Sequence, residues 1–348
     1  MFNFDWLKKI FRDKELELKA EKEVYQFKPL PCVDFYGPSI WSVGGGKGGV
    51  GKSFIASNLG VSLSRMGKTV LLIDADLGAA NLHTFLGTDG GRLALSSFLK
   101  EEISDIQSLI IKTPVPGLDL ISGAKDSLDI ADINPAKIAR LKEALRKLPY
   151  DNVILDIGPG TSANLLDIFL LGGEGIILST PEPTTIENNY RFLKCLFLRK
   201  IKNLSDSQED GRLKDMLQKI FSEKWPQRVK TVSDIIGQLQ NLDSGQGRML
   251  REYVGGSSIS MIMNQSRRPE DGDIGYSIKK ACTDYFGVDI RYLGAVSYED
   301  AVGESVRTRR PLMVHYAQST AARGIEACLK ELLNRNINRR DSQTLNSF

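Results

Sequence analysis

The stretch that decides the fold is Gly46-Lys47-Gly48-Gly49-Val50-Gly51-Lys52-Ser53. Its spacing fits G-x-x-x-x-G-K-[ST], and it lies between a strand pattern at residues 39–43 and a helix pattern at 52–66. Glycines are needed there because a Cβ would obstruct both the turn and the approach of backbone N–H groups to phosphate oxygens. The following helix adds the positive end of its dipole. The pattern therefore predicts a phosphate-binding loop.

Strand and helix patterns alternate on both sides of this loop. Strand patterns fall at residues 39–43, 69–73, 118–122, 152–156, 175–179, 258–264 and 292–296. Helix patterns fall at 52–66, 92–100, 135–148, 164–171, 298–307 and 320–334, with another beginning near 185. The strands are apolar runs without polar alternation, which is typical of parallel strands covered on both faces. We expect an α/β fold with a mostly parallel sheet and helices on both faces.

Composition restricts the class of protein further. The 348 residues carry 46 Lys and Arg against 43 Asp and Glu, so nucleic-acid binding cannot be inferred from a net charge of +3. No apolar run reaches the roughly 18–20 residues that span a bilayer, and no secretory signal is visible, so we expect a cytoplasmic protein. The four cysteines form no C-x-x-C pair and there are two histidines, which argues against a zinc or iron–sulfur site.

The chain divides into four parts. Residues 1–23 form an amphipathic segment, 24–38 a proline-containing linker, 39–335 the folded domain and 336–348 a polar tail. Helical spacing amid many charges predicts a helical insertion at about 199–256. The apolar arc of the first segment consists of Phe2, Phe4, Trp6, Leu7, Ile10 and Phe11. Opposite Lys8, Lys9 and Arg12, this arc fits peripheral membrane contact, with docking on a partner or on the chain's own domain as alternatives.

A second lysine inside the loop, Lys47, makes a resemblance definite. The sequence GGKGGVGKS at 45–53 is similar to the deviant Walker A loop of the MinD/ParA family of P-loop ATPases, which have a SIMIBI-type NTPase fold. The resemblance implies ATP or ADP with Mg²⁺ as ligands. It also implies that Lys47 reaches phosphate bound by a partner subunit, so that slow hydrolysis requires a homodimer in the ATP state. The nucleotide contacts implied are Gly46, Lys47, Gly48, Gly49, Val50, Gly51, Lys52, Ser53 and Phe54.

Further motifs extend the resemblance and imply roles for single residues. The segment 74–82 resembles the family's first switch, which implies that Asp76 orients the attacking water and Asp74 lies near Mg²⁺. Residues 153–160 resemble Walker B followed by the second switch. This implies that Asp156, like Ser53, helps to hold Mg²⁺ and that Gly158 offers its N–H to the γ-phosphate. Asn264 matches the adenine-contacting asparagine.

Two segments look closest to the FlhG/FleN branch, namely 180–185 and 306–312. The insertion and an unrecognisable N-terminal activator motif depart from that branch. The resemblance implies an ATP-dependent dimerisation switch for spatial positioning or regulation, with flagellar, division or cargo placement as outputs and an unidentified protein activator or cargo as partner. Its catalytic residues would be Lys47, Lys52 and Asp76.

Two alternatives remain open on the sequence alone. A ParA-like partition ATPase would bind DNA nonspecifically, with Arg267 and Arg268 or the arginines of 307–310 contacting phosphates. An ATP-dependent metabolic synthetase could share the same fold. An amidase would need a Cys–His constellation, which the scattered cysteines and two histidines do not provide.

Overall fold

A computed structural model describes residues 37–78, 80–123, 133–208, 211–222 and 231–344. Within them lies one sheet of eight strands, in the order β3-β4-β2-β5-β1-β6-β7-β8. The strands are β1 (Ser39–Gly44), β2 (Val70–Ala75), β3 (Ile111–Lys112), β4 (Leu118–Ile121), β5 (Asn152–Ile157), β6 (Glu174–Ser179), β7 (Ile259–Ser266) and β8 (Arg291–Ser297). Every neighbouring pair is parallel except β3 and β4. The predicted mostly parallel α/β fold is confirmed.

Helices cover both faces of this sheet. In chain order they are α1 (Lys52–Arg65), α2 (Leu82–Leu86), α3 (Leu95–Leu99), α4 (Pro135–Arg146), α5 (Ala163–Phe169), α6 (Pro183–Ser207), α7 (Arg212–Ser222), α8 (Val232–Leu242), α9 (Ser244–Gly255), α10 (Asp271–Phe286), α11 (Asp300–Arg307), α12 (Leu312–His315) and α13 (Thr320–Thr344). Among the described residues, no helix has the length and apolar character that crossing a bilayer requires.

The core lies in two layers, one on each face of the sheet. Successive residues of β5 show why: Val153 and Leu155 join the larger apolar cluster, while Ile154 joins the other. The smaller cluster packs α1 and α13 against the sheet, and the larger one collects the remaining long helices. A strand with apolar side chains on both faces is stable only when both faces are covered, which accounts for the absence of alternation in the sequence.

Three features differ from the sequence-based expectations. Helix α6 runs unbroken from 183 to 207, so the helical insertion expected from about 199 continues an existing helix. Helix α10 was not predicted, although Ile274, Ile278, Cys282 and Phe286 recur every four residues along it and are buried. Helix α13 continues to Thr344, past residue 335 where the sequence predicts a polar tail.

Helices α7 to α9 share the core of the sheet. Leu213, Ile236 and Leu250 belong to the same buried cluster as β5 and β6. A capping box begins α8, because Thr231 and Asp234 each accept a hydrogen bond from the other's backbone N–H. The Asp243 carboxylate accepts from the N–H groups of residues 245 and 246 and so caps α9.

An aromatic cluster joins α6 to α10. The ring of Phe286 stacks on Tyr190 at 5.3 Å between centroids and meets Phe197 at 5.4 Å. Phe197 and Phe286 are fully buried. This contact packs α6 against α10, which forms the crossover between β7 and β8.

We expect Phe286→Ala to lower the free energy of unfolding by about 3–5 kcal/mol, because it removes a large buried ring and leaves a cavity. Lys280→Ala serves as the control, since Lys280 lies on the same helix and is exposed. The control should cost less than about 1 kcal/mol. Urea denaturation followed by circular dichroism measures both, and equal losses would contradict this account of the junction.

Candidate functional site

The predicted site residues meet at the carboxyl edge of the sheet. The glycine-rich loop follows β1, and Asp76 follows β2. Asp156 is the last residue but one of β5, and Asn264 is in β7. Because these strands are parallel, their carboxyl ends open onto the same crevice. Asp74 and Asp156 are direct neighbours in the register of β2 and β5. The sheet topology thus brings together residues that are far apart in sequence.

Two loop positions accept only glycine. Gly51 has φ 92°, and a Cβ there would lie 2.3 Å from the Asn264 amide nitrogen. At Gly46 a Cβ would lie 2.1 Å from the carbonyl oxygen of Asn188. Both distances are far below van der Waals contact, so any side chain at these positions would push the loop away from Asn264 and Asn188.

Three amides hold this loop from beneath. The Asn264 amide donates to the carbonyl oxygen of Val50 at 2.9 Å, and the Gln265 amide donates to that of Gly49 at 3.0 Å. Asn189 on α6 accepts from the N–H of Gly46 at 3.0 Å and donates to the carbonyl oxygen of β6 residue Leu178. Gln265 and Asn189 were not predicted as site residues. Asn189 carries no sequence signal, because its contact spans 143 positions.

Lys52 opens α1 and points into the loop. It is buried, and its ammonium donates to the carbonyl oxygen of Lys47 at 3.1 Å. Burial lowers the pKa of Lys52, while the nearby carboxylates of Asp156 and Asp76 oppose that change. A buried cation held beside two acids at the start of a helix can neutralise phosphate oxygens.

Lys47 lies in a different environment. Its side chain is 35 % exposed, and its ammonium donates to Glu182 at 3.2 Å and to Thr184 at 2.9 Å, both at the start of α6. The hydrogen bond from Lys47 lowers the pKa of the Glu182 carboxyl. The loop therefore presents one buried lysine and one lysine at the surface.

Asp74 shapes the segment that follows β2. One carboxylate oxygen accepts from the N–H of Asp76 at 3.1 Å, and the other accepts from that of Leu82 at 3.0 Å. Burial raises the pKa of Asp74 to about 6, although these backbone hydrogen bonds act in the opposite direction. Both oxygens are already engaged in the fold, and the metal-proximal role of Asp74 stays a prediction.

Asp156 is buried too, but among the described residues its carboxylate accepts no backbone hydrogen bond of the kind that Asp74 accepts. Neither of its oxygens has a hydrogen-bond partner of normal geometry among the described residues. Burial and the adjacent Asp74 raise the pKa of Asp156 to about 8, against the effects of Ser53 and Lys52. A buried carboxylate with open oxygens suits Mg²⁺, which is commonly held by one or two carboxylates together with substrate phosphates. Ser53 and Asp156 would hold that ion, with Asp74 as the neighbouring acid.

The two acidic loops touch each other. A Cβ at Gly158 would lie 2.9 Å from the carboxyl carbon of Asp76. Asp76 itself accepts from the N–H of Gly78 at 3.2 Å and faces the open crevice. Glycine at 158 therefore leaves the room that the Asp76 carboxylate occupies.

A cavity of 1070 Å³ lies above these residues. Its walls include Gly48, Gly49, Gly51, Lys52, Ser53, Phe54, Asp76 and Asn264. The guanidinium of Arg267, which is not itself in the lining, stacks on the ring of the lining residue Tyr298 at 3.7 Å. Lys47 and Gly46 lie outside this lining. Arg307, one of the arginines considered for DNA, lines the same cavity and pairs with Glu304.

The apolar N-terminal residues Phe2, Phe4, Trp6, Leu7, Ile10 and Phe11 lie outside the described residues. Their membrane or partner role stays a prediction, as do the individual roles assigned to the site residues.

A parallel sheet with a glycine-rich loop after its first strand, a buried lysine opening the next helix and an acid ending β5 defines a P-loop nucleotide-binding protein. The family model described as the CobQ/CobB/MinD/ParA nucleotide binding domain matches residues 41–312. The chain belongs to this family, and the resemblance to MinD/ParA proteins is confirmed.

Several relatives agree with this assignment. The septum site-determining protein MinD of Synechocystis is 33 % identical over 162 residues, covering 46 % of this chain and 60 % of that protein. The antiactivator FleN of Pseudomonas aeruginosa is 21 % identical over 296 residues, covering 84 % and 85 %. The structure of MinD from Pyrococcus horikoshii, complexed with Mg-ADP, matches with a TM-score of 0.57 at 21 % identity, covering 85 % of this chain and 96 % of that one. The structural match supports the fold.

We expect the stability of the ligand-free chain to fall from about pH 4 to about pH 8, because an acid whose folded pKa is raised releases its proton more readily on unfolding. Asp156 has a reference pKa of 3.8 and a folded value of about 8, which sets that window. Asp156→Asn should remove most of the dependence and be more stable than the parent at the alkaline end.

Urea denaturation in the presence of a chelator, across that pH range, measures this effect. Asp89→Asn is the matched control, since Asp89 is an exposed acid on the segment after α2. A variant whose stability follows pH as the parent's does would contradict the burial of an ionisable Asp156.

Proposed function

We propose that this chain is an ATPase whose Mg-ATP state closes two copies face to face and whose slow hydrolysis releases them. The proposal is supported by the family, by the lysine-bearing loop and by the acids of the site. The observation that carries it is the surface position of Lys47. Lys52 already occupies the place beside the carboxylates, whereas the partly exposed Lys47 is held by Glu182 and Thr184 and could exchange them for phosphate bound to a partner subunit.

Each residue has a defined task in this proposal. Lys52 and the loop N–H groups would bind the β- and γ-phosphates, and Ser53 with Asp156 would hold the metal, which supplies charge neutralisation when bound. Asp76 would orient the attacking water, since its carboxylate faces the crevice beside Gly158. Lys47 of the opposite copy would offset the charge that develops on the transferred phosphoryl group.

The output of such a switch is contact with another protein rather than a released metabolite. Relatives of this chain are named for septum placement and for antiactivation. A surface that differs between nucleotide states would serve either role, and we propose that this chain is a positioning or regulatory ATPase. The FleN relative matches both this chain and its own length almost throughout, which favours a regulatory role.

Two substitutions separate binding from turnover. We expect Lys52→Ala to abolish or severely weaken ATP binding, because the phosphates lose the buried cation. Asp76→Ala should keep ATP and accumulate dimers, because the water is no longer oriented. Binding by calorimetry and mass by light scattering distinguish them, with Asp89→Ala as control. Hydrolysis by Asp76→Ala at the parental rate would refute the assignment of Asp76.

A third substitution tests the partner's cation. We expect Lys47→Ala to bind ATP but to hydrolyse it about 10²–10³-fold more slowly, the loss typical of one transition-state donor. Lys68→Ala is the control, because Lys68 is an exposed lysine that pairs with Asp151 outside the crevice. Phosphate release measures both rates.

Mixing the Lys47→Ala and Asp76→Ala chains gives the decisive result. In a mixed dimer, the site that retains Asp76 faces the partner that retains Lys47, so activity should reappear. If Lys47 acted on nucleotide in its own chain, no site in the mixture would be complete and activity would stay absent.

A further inference from the structure

A second cavity, of 810 Å³, opens at the edge of the sheet away from the loop. Its lining includes Gly172 and Gly173, which precede β6, and Ser257 and Ser258, which precede β7. Helices α4 and α6 form its two long walls. We call it the basal groove. It shares no lining residue with the cavity above the loop.

The basal groove combines an apolar floor with a basic rim. Ile138, Leu170 and Leu171 are partly exposed along the floor. The rim carries the lysines Lys142, Lys200 and Lys202 and one exposed acid, Asp206, which pairs with Lys214 outside the lining at 3.2 Å. Among the described residues none of these three lysines forms an ion pair.

Lys200 shows the charge imbalance of the rim most directly. Its ammonium donates to the Ser257 hydroxyl at 2.6 Å and lies 4.5 Å from the centre of the Tyr253 ring. Burial lowers the pKa of Lys200 to about 8, and no carboxylate opposes that change. Arg199 beside it is already neutralised by Asp167. An occupant with apolar side chains and a carboxylate would complement such a surface.

The chain itself enters the fold at the mouth of this groove. A Cβ at Gly37 would lie 2.6 Å from the carbonyl oxygen of Arg146, in the last turn of α4. Arg146 lies one helical turn, about 6 Å, beyond the groove residue Lys142. On the other side, the carbonyl oxygen of Ile40 accepts from the N–H of Gly173, which lines the groove. Residues 37–40 therefore run beside its opening.

The sequence just before Gly37 has the composition that the groove requires. Residues 24–36 contain one acid, Asp34, and the apolar residues Val24, Tyr25, Phe27, Leu30, Val33, Phe35 and Tyr36. Thirteen residues can extend about 43 Å, whereas the groove wall from Pro135 to Lys142 is about 10 Å long. The segment is long enough to enter the groove from Gly37.

We propose that residues 24–36 dock in the basal groove of their own chain, with their aromatic side chains on its floor and Asp34 at its basic rim.

Cysteine pairing in the full chain tests this placement. Cys32 lies in the segment, and Ala139 is an exposed residue that lines the groove. With Cys195 replaced by serine, mild oxidation should link Ala139→Cys to Cys32 within one chain. Ala136→Cys is the matched control, being exposed on the same helix but outside the groove lining. Peptide mass spectrometry should show several-fold more linkage at 139.

A second variant tests the cause of that preference. Phe35→Asp should reduce the 139 linkage to the level of the 136 control, because a charged side chain cannot lie on the apolar floor. Circular dichroism establishes that each variant is folded. Equal linkage at 136 and 139, linkage found only between two chains, or a 139 preference that survives Phe35→Asp would each overturn the proposal.

Discussion

The burial of Asp74 and Asp156 side by side is the constraint on which the rest of the site depends. Parallel pairing of β2 and β5 forces the two carboxylates together, and the surrounding core keeps water away from Asp156. Backbone N–H groups satisfy Asp74, whereas Asp156 is left with open oxygens and a raised pKa. Lys52 offsets part of this charge. The fold thus buries a carboxylate whose charge is only partly compensated, at the place where a metal ion would complete the compensation and bind phosphate.

The sequence predicted the parts of the molecule that local chemistry determines. The glycine spacing, the lysines at 47 and 52, and the apolar strands ending in Asp74 and Asp156 give strong local signals. The larger architecture followed, because parallel strands bring their carboxyl ends together. The supports of the loop could not be predicted in this way. Asn189 and Gln265 contact it through long-range packing, and nothing in their neighbouring residues indicates such contacts.

Some of what was missed did have a signal. The four-residue recurrence of apolar positions along α10 indicates a helix, but two glycines and several charges in the same stretch dilute it. The unbroken course of α6 could also be expected, since no glycine or proline interrupts residues 184–207. The change in composition near residue 199 instead suggested a boundary. The helices that follow α6 pack on the larger cluster of the same core.

Helix α6 has a mechanical consequence. Its start holds Lys47 through Glu182 and Thr184, its second turn supports the loop through Asn189, and about its last three turns, from Leu196 onwards, line the basal groove. With 25 residues it is a rod of about 37 Å, and such a rod tilts as a whole more easily than it bends. If Lys47 leaves Glu182 and Thr184 for a partner subunit, as we propose, the start of α6 loses both contacts. A tilt of α6 that followed would change the shape of the basal groove, which the other end of the helix lines.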